Sequence, residues 1–415
     1  MSIPSNSLRL ASILTCVLVL ALGCQPAEES PSSLQPDDQD PAETNDDVQE
    51  PGEEPIEEPV IIMEETEPVE PEDEPVVDES DETTSATVDV DVFRIRLEAL
   101  GGTIRRDSEG RITEIDLTKI DAVDDDLVGL DQLAELQFLK LSDTKVTDAI
   151  LPLLAGKDKL KLIDLRGTEA TGEGLAMLGP LPSLKSLKIS GEQVNDAGLE
   201  CLAQYTTLTA LGLDNTSMTD ATIAHLGPLV RLEELYLANV AVTDAGVAII
   251  AEMPALRVLR LSGTQVTDAG LAPLSDKLTL RNIDLSGTAI TDAGLPHLVT
   301  LTDLDHLNLY QTRVSDAGLD AIQPLVNLTW LNLDWTQVTD AGLPKLAVFQ
   351  KVTWLHLGRT AITDAGLETI AQFTQLEEIH VTNTNVTAEG VATLKTALPD
   401  CLIHENTGET EETVE

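Results

Sequence analysis

The sequence predicts an α/β solenoid, in which short strand–helix coils stack along one axis. Residues 112–399 of the 415-residue chain divide into twelve units of 24 residues without insertion or deletion. A fixed period of this length is typical of solenoids, because each unit can bury its apolar face only against its neighbours. Aromatic residues make up only 2% of the chain, so aliphatic side chains must fill the core. The units begin at Ile112, Leu136, Leu160, Leu184, Leu208, Leu232, Leu256, Leu280, Leu304, Leu328, Val352 and Leu376.

Each unit carries the pattern of a short strand followed by a short helix. In residues 256–279, Leu256, Leu259 and Leu261 hold positions 1, 4 and 6, an alternation that predicts a strand with one buried face. Leucine at position 16 and an aliphatic residue at position 19 recur at helical spacing, which predicts a helix on the opposite side of the coil. Position 11 is also apolar, as in Val146, Val266, Ile290, Val338 and Ile362.

A Thr-Asp pair precedes the predicted helix in most units. We expect the Thr or Asp oxygen to accept hydrogen bonds from the unpaired N–H groups of the first turn, where a carboxylate also favours the helix dipole. This capping role explains the aligned carboxylates without a metal ion. Pro152, Pro296 and Pro344 lie four residues beyond the Asp and fit a helix that starts nearby. The aligned acids are Asp148, Asp196, Asp220, Asp244, Asp268, Asp292, Asp316, Asp340 and Asp364.

Threonine holds position 9 in nine of the twelve units, among them Thr264, Thr288, Thr312 and Thr336. The chain turns away from its strand at this position, so its backbone groups cannot all pair along the strand ladder. We expect a stacked column of hydroxyls to satisfy these groups from one coil to the next.

The strand, the Thr corner and the TDAGL helix together resemble leucine-rich-repeat proteins. The units are similar to the cysteine-containing subclass with the pattern LxxLxLxxCxxITDxGLxxL, and to secreted bacterial proteins built from VTDAGL repeats. This resemblance implies a horseshoe with a parallel concave sheet, and it is specific for the fold rather than for an activity. Threonine stands here where the subclass has cysteine. Eukaryotic relatives often carry an F-box, whose place is taken here by a predicted export leader, so that role is not transferred.

Residues 1–23 have the features of a signal peptide. Arg9 supplies a positive charge, and the uncharged apolar stretch 10–22 is too short to span a bilayer. The stretch ends in Leu-Ala-Leu-Gly-Cys, which resembles a bacterial lipobox and implies that Cys24 is lipidated. Gln25 follows where the inner-membrane retention signal would place Asp, which favours the outer membrane or the cell surface. The alternative is an ordinary secretory signal in which Cys24 is incidental.

Residues 24–90 are expected to form a disordered acidic tether. Between residues 25 and 90 there are 25 acidic residues, ten prolines and no lysine or arginine. High like charge with few apolar side chains cannot offset the chain entropy lost on folding. We interpret this segment as a spacer, with a calcium-collecting or partner-binding acidic segment as the alternative. The formal net charge of −48 excludes nucleic acid as a partner, because a phosphate backbone requires a basic surface.

The repeats 112–399 are expected to have a cover at each end, since the end of a solenoid would otherwise expose its core. Residues 91–111 are predicted to form this cover at the first repeat, with a helix that carries Val92, Ile95, Leu97 and Leu100, followed by a hairpin. Residues 400–415 are expected to form a frayed acidic tail.

Repeats nine to twelve differ from the others at the positions expected to face solvent on the concave side. All three tryptophans lie within 25 residues, and Trp330 and Trp354 hold the same position in consecutive repeats, so their rings are expected about 5 Å apart. Clustered aromatic residues with arginine are typical of protein-binding hot spots, and we predict a protein ligand here. The candidate residues are His306, Asn308, Tyr310, Trp330, Asn332, Asp334, Trp335, Trp354, His356, Arg359 and His380.

Three other interpretations of this patch remain open. The rings could stack against the sugars of a surface glycan, or they could pack on one another as a structural ladder. A metal ion between His356 and His380 would lack an obvious third ligand. A smaller basic patch of Arg257, Arg260 and Arg281 on the same face could pair with Asp284 or meet an acidic partner.

The sequence does not indicate an enzyme. It contains no serine elbow, phosphate loop, HExxH helix or Cys/His nucleophile pair. Cys201 and Cys401 are about eight repeats apart, too far for a disulfide, and are predicted to be buried as small hydrophobic residues. We therefore expect a monomeric, non-catalytic protein without a cofactor or a metal ion, which a lipid anchor holds at the membrane.

Overall fold

The computed structural model describes residues 89–405. The predicted signal peptide, Cys24, the tether up to residue 88 and residues 406–415 lie outside the described residues. Within the described range, no helix combines the length and the apolar character that a membrane crossing requires.

The framework is a sheet of fourteen strands, with one new strand added in each successive coil. The first pair, β1 and β2, is antiparallel, and every later pair in this sheet is parallel with a 24-residue offset, as in Leu259 beside Ile283 and Ile283 beside Leu307. Strands β6 and β8 form a separate pair. The strands are β1 (Thr103–Arg106), β2 (Ile112–Asp116), β3 (Phe138–Lys140), β4 (Leu162–Leu165), β5 (Ser186–Ile189), β6 (Gly191–Asn195), β7 (Ala210–Gly212), β8 (Thr216–Ser217), β9 (Glu234–Tyr236), β10 (Val258–Arg260), β11 (Asn282–Asp284), β12 (His306–Asn308), β13 (Trp330–Asn332), β14 (Trp354–His356), β15 (Glu378–His380) and β16 (Leu402–His404).

The opposite side of each coil is helical, but the type of helix varies. In repeats two to twelve, every coil with a proline inside this segment forms a 3-10 helix, and every other coil contains an α-helical turn. Proline lacks the N–H that an α-helix needs, so the tighter turn is the available alternative. The α-helices are α1 (Val90–Ala99), α2 (Gly172–Leu175), α3 (Asp196–Leu199), α4 (Asp220–His225), α5 (Asp244–Ile250), α6 (Leu319–Ile322), α7 (Asp364–Ile370) and α8 (Ala388–Ala397). The 3-10 helices are Asp124–Leu127, Leu130–Gln132, Asp148–Leu154, Ala176–Leu178, Glu200–Gln204, Asp268–Asp276, Leu295–Leu298 and Leu343–Val348.

One continuous core runs between the strands and the helices, from Phe93 to Ile403. Leu256, Leu259 and Leu261 are fully buried, as the alternation predicted. Cys201 and Cys401 were predicted to be buried, but they are only partly buried at the edge of this core, and both are free thiols.

Helix α1 forms in the segment where the sequence predicts a helix ahead of the first coil. Its buried residues are Phe93 and Leu97, whereas Val92 and Ile95 are 61% and 55% exposed. Leu100, at 39%, is also exposed. Of the four apolar residues predicted on this helix, only Leu97 is therefore buried. The aromatic ring of Phe93 sets the buried face, and Phe93 and Leu97 are one helical turn apart.

Within the Thr-Asp pair, threonine is the residue that caps the helix, which confirms one of the two predicted caps. Thr267 is the helix cap and accepts from the N–H of Ala269 at 3.4 Å. The Asp lies in the first helical turn and reaches the next coil, where Asp244 accepts from the backbone N–H and the hydroxyl of Thr267 at 2.8 and 2.6 Å. The same two bonds recur from Asp124 to Asp364 in all coils but one. We call this series the aspartate ladder; its acceptors are Asp124, Asp148, Asp196, Asp220, Asp244, Asp268, Asp292, Asp316, Asp340 and Asp364.

The ladder also explains the glycine of the repeated TDAG sequence. A Cβ atom on Gly270 would lie 2.4 Å from the Asp244 carboxylate oxygen, which is too close for non-bonded atoms. Repeat five has Thr222 at this position instead, and its hydroxyl donates to Asp196 at 2.5 Å. Repeat two has the fully buried Ile150 at this position, so glycine is the common residue here but not a required one.

The hydroxyls at position 9 do not link coils, so that prediction was wrong. Thr264 donates to the carbonyl of Leu261, three residues earlier in the same coil, at 2.6 Å. Thr288 and Thr336 do the same with Leu285 and Leu333 at 2.5 and 2.6 Å. Because this carbonyl follows the strand and points away from the ladder, a local donor satisfies it most directly.

Candidate functional site

Three rings at position 3 form an aromatic stack on the open face of the sheet. The parallel register places His306 beside Trp330 and Trp330 beside Trp354. The two indoles are stacked, with their centroids 4.3 Å apart and their planes 7° apart, close to the predicted spacing. His306 stacks on the other side of Trp330 at 6.0 Å, and His380 covers Trp354 at 5.2 Å. All of these residues are half-buried, so the flat faces of the two indoles are occupied by other rings.

A second group, which we call the corner patch, consists of Tyr310, Gln311, Trp335 and Arg359. The edge of Tyr310 meets Trp335 at 6.2 Å, and the Arg359 guanidinium lies 5.9 Å from the Trp335 ring centre. The Trp335 side chain is 50% exposed, and Gln311 and Arg359 are exposed too. This is the freely accessible aromatic surface of repeats nine to eleven.

The corner patch sits on strained backbone. Gln311, Trp335 and Arg359 occupy position 8 with φ values of 54°, 54° and 50°, in the left-handed region. In the two preceding repeats this position is Gly263 and Gly287. The left-handed conformation costs about 1–2 kcal/mol for a residue with a Cβ atom, and a bulky residue there is uncommon. Position 8 is left-handed in all twelve repeats; these three consecutive coils place long side chains on it, as Lys119 does in the first repeat.

Two of the predicted ligand-binding residues are buried instead. Asn332 is 8% exposed and Asp334 is 1% exposed, so neither can contact a ligand directly. Asp334 lies near the Nε2 of His356 at 3.3 Å and accepts from Arg359 at 3.2 Å. Burial raises the pKa of Asp334, although Arg359 opposes this shift. The Asp334 carboxylate therefore fixes the position of the Arg359 side chain within the corner patch.

Histidines form a column at position 5 of the last coils. His356, His380 and His404 are neighbours on β14, β15 and β16, with ring centres 4.4 and 4.0 Å apart. Burial, followed by the positive charges of neighbouring groups, lowers the pKa of His356 to about 4, so this ring is neutral at pH 7. His404 was not among the candidate residues, because it lies in the segment expected to be a tail. The signal that could have found it is the 24-residue spacing from His380.

The predicted basic patch is largely paired within the protein. Arg260 lies 3.3 Å from Asp284 and 3.6 Å from Asp214, and Arg281 pairs with Asp303 at 3.0 Å. The exposed Arg257 has no ion pair within residues 89–405. A depression of about 340 Å³ connects this patch to the aromatic stack. Its lining is Tyr236, Val258, Arg260, Asn282, Asp284, His306, Asn308 and Trp330.

Comparison with known proteins supports the fold. Residues 253–275 match the family described as Leucine Rich repeat, and no curated protein sequence matches the chain. The crystal structure of an internalin from Listeria monocytogenes is similar over 78% of this chain and 96% of its own, with a TM-score of 0.53 and 20% identity. A leucine-rich-repeat protein of Leptospira interrogans covers 66% of this chain and 79% of its own, with a TM-score of 0.42 and 17% identity. The strand order, the family match and the similarity to the internalin structure identify the fold as a leucine-rich-repeat solenoid.

Proposed function

We propose that this leucine-rich-repeat protein is a non-catalytic binding protein of the bacterial envelope, which holds a protein partner through the corner patch and the adjacent aromatic stack. The observation that carries the proposal is Trp335, a half-exposed indole on a left-handed residue. An unfavourable backbone conformation that persists at a surface side chain is typical of functional sites.

The chemistry of the corner patch favours a protein over a glycan. Aromatic side chains together with arginine are enriched at the centres of protein interfaces. Sugar rings, in contrast, stack on free aromatic faces, and the faces of Trp330 and Trp354 are covered by each other and by histidine rings. Trp335 offers its exposed surface beside Tyr310 and Arg359, which suits a side chain of a protein partner better than a flat sugar.

A binding role without catalysis is consistent with the ionisable groups on this scaffold. Burial raises the pKa of both the Cys201 and Cys401 thiols to about 11, so neither is a reactive thiolate at neutral pH. The neutral His356 is held by the buried Asp334 rather than beside a nucleophile.

The envelope location rests on the N-terminal sequence. The leader 1–23, Cys24 and the acidic segment to residue 90 would anchor the repeats through lipid and hold them away from the membrane. In a bacterial host, the Cys24→Ser variant should move from the membrane fraction to the soluble fraction. Retention of this variant in the membrane fraction would contradict the lipid anchor without affecting the binding proposal.

The binding proposal is tested with the Trp335→Gly variant. Glycine removes the indole and suits the left-handed backbone, so the fold should be preserved while binding is lost. Asn239→Gly, the same position in repeat six, is the matched control. The readout is the yield of a defined crosslinked protein from envelope extracts, alongside retention on a glycan array.

We expect Trp335→Gly to lower the crosslinked yield at least tenfold and Asn239→Gly to leave it unchanged. Trp335-dependent retention on the glycan array would favour the glycan alternative. If neither readout responds to Trp335→Gly, the corner patch has no binding role and the proposal fails.

A further inference from the structure

We propose a binding site for a divalent transition metal of the zinc class at the C-terminal end of the sheet, formed by Glu378, His380 and His404. One donor atom from each residue lies within 4.8 Å of the other two. The site is independent of the corner patch and goes beyond the proposed partner binding.

The fold brings the three donors together by register. Glu378 and His380 are two residues apart on β15, so their side chains point to the same face. His404 on β16 is the direct neighbour of His380. The Glu378 carboxylate oxygen lies 2.8 Å from Nε2 of His380 and 3.1 Å from Nε2 of His404. Every donor is therefore fixed by a strand rather than by a loop.

These separations are close to those around a bound metal ion. Zinc binds histidine nitrogen and carboxylate oxygen at about 2.0–2.2 Å with tetrahedral geometry, which places neighbouring donors roughly 3.3 Å apart. The nitrogen–oxygen distances need to lengthen by a few tenths of an ångström. The two imidazoles, which are stacked 4.0 Å apart with their planes 6° apart, must also turn so that both Nε2 atoms point to one ion. Two imidazoles and one carboxylate are also a donor set that zinc favours.

An unsatisfied atom supplies independent support. The Nε2 atom of His404 is buried and has no hydrogen-bond partner within the described residues, because its contact with Glu378 has the distance but not the direction of a hydrogen bond. Leaving a buried polar atom unpaired costs free energy. A metal ion at the position shared with His380 and Glu378 would use this nitrogen as a ligand.

The surroundings are suited to a site with three protein ligands. Trp354 is the direct strand neighbour of Glu378, and its ring contacts His380 with the centroids 5.2 Å apart, so the indole borders the site. His356 lies 3.3 Å from Asp334 through its own Nε2 and is thereby directed away from the three donors. The fourth coordination position is then open to water or to a donor from a bound molecule.

The experiment measures zinc binding to the full chain by isothermal titration after treatment with a chelator. The acidic segment ahead of residue 90 will bind divalent ions weakly, so variants are needed to assign the tight site. His404→Ala and Glu378→Gln should each weaken this site at least tenfold. His225→Ala, an exposed histidine on α4 outside both the cluster and the aromatic stack, should leave it unchanged.

A spectroscopic readout separates ligation from a change in fold. Cobalt(II) added to the chain should give the intense visible bands of a tetrahedral site, and these bands should be absent in His404→Ala. Zinc should also change the fluorescence of Trp354, whose ring lies against the ligand His380. If His404→Ala, with an unchanged circular dichroism spectrum, retains the tight site and the cobalt bands, the metal site is wrong.

Discussion

Repeats seven and eight share an internal framework with repeats nine to eleven but present a different open face. Inside, Leu259 and Leu331 hold the same position and are both fully buried. On the surface, position 8 changes from glycine at 263 and 287 to Gln311, Trp335 and Arg359, although the backbone stays left-handed throughout. The comparison shows that the coil geometry fixes the interior and the backbone, while the exposed side chains vary independently of them.

On the helical side, the type of helix likewise varies independently of the strand register. Coils with proline form 3-10 helices and coils without it contain α-helical turns, yet the strands of both kinds keep one register. A solenoid coil therefore tolerates a change of helix type as long as its apolar positions reach the core. This tolerance is what allows twelve sequences of differing surface to stack without an insertion.

The largest effects should come from the shared interior and should be alike in both regions. Leu259→Ala and Leu331→Ala each remove a fully buried side chain. We expect each to lower the free energy of unfolding by about 2–5 kcal/mol, because a cavity remains in a packed core. Chemical denaturation followed by circular dichroism measures both. A clear difference between the two variants would show that the frameworks are not equivalent.

The aspartate ladder provides a second test of the shared framework. Asp316 accepts from the N–H and the hydroxyl of Thr339 at 2.8 and 2.6 Å. Asp196 accepts the equivalent pair from Thr219 and two further bonds from Thr222. Asp316→Ala should lower the free energy of unfolding by about 2 kcal/mol and Asp196→Ala by more, because hydrogen bonds to a charged group are among the stronger ones. Equal losses would mean that Thr222 contributes nothing.

The pH dependence of Asp196 follows from the same contacts. Burial alone would raise its pKa, but the hydrogen bonds from Thr219 and Thr222 outweigh burial and hold the pKa below the usual 3.8. A carboxyl group whose pKa is lowered by folding stabilises the fold at pH values above its unfolded-state pKa. This stabilisation is lost as the pH falls through the folded-state pKa. The difference in stability between the native chain and Asp196→Asn should therefore narrow below about pH 4. A constant difference from pH 7 to pH 3 would contradict this assignment.

The periodicity was sufficient to predict the strand register and the buried positions, because both repeat with the coil. It could not predict the partner of each ladder carboxylate, since Asp244 meets Thr267 only after the coils have stacked. The burial of Asp334 was also not predicted. Ser142 and Ser286 hold the same position, number 7, and both are buried, so these small residues could have indicated that side chains there have little space.

The cluster of Glu378, His380 and His404 was not predicted, because the 24-residue period was followed only to residue 399. Asp400 replaces the apolar residue expected at position 1, although β16 continues the register and places His404 beside His380. The left-handed corner was also not predicted, although the sequence carries a sign of it. Position 8 is glycine or asparagine in seven of the twelve repeats, and these residues adopt left-handed backbone most readily. Trp335 and Arg359 themselves gave no sign of it, because tryptophan and arginine have no preference for this conformation.

A smaller effect should distinguish the two open faces. The stacked pair Trp330 and Trp354 should show a coupling free energy of about 1 kcal/mol in a double-mutant cycle with leucine, beyond the area that each ring buries. The corresponding neighbours in repeats seven and eight, Val258 and Asn282, should show almost none when replaced by alanine. Similar coupling in both cycles would mean that the aromatic stack adds no stability of its own.

The smallest effect on stability concerns the residue with the largest proposed role in binding. Replacing Trp335 by glycine relieves a left-handed strain of about 1–2 kcal/mol but adds roughly 0.5–1 kcal/mol of chain entropy to the unfolded state. The net gain in the free energy of unfolding should be near 0.5 kcal/mol. Asn239→Gly should show no gain, because asparagine tolerates this conformation and Asn239 also donates to Asn215 at 2.9 Å. If Trp335→Gly is at least as stable as the native chain and yet loses the partner, the indole is kept for binding. If Trp335→Gly loses stability, the contacts of the indole with Tyr310 and Arg359 stabilise the coil.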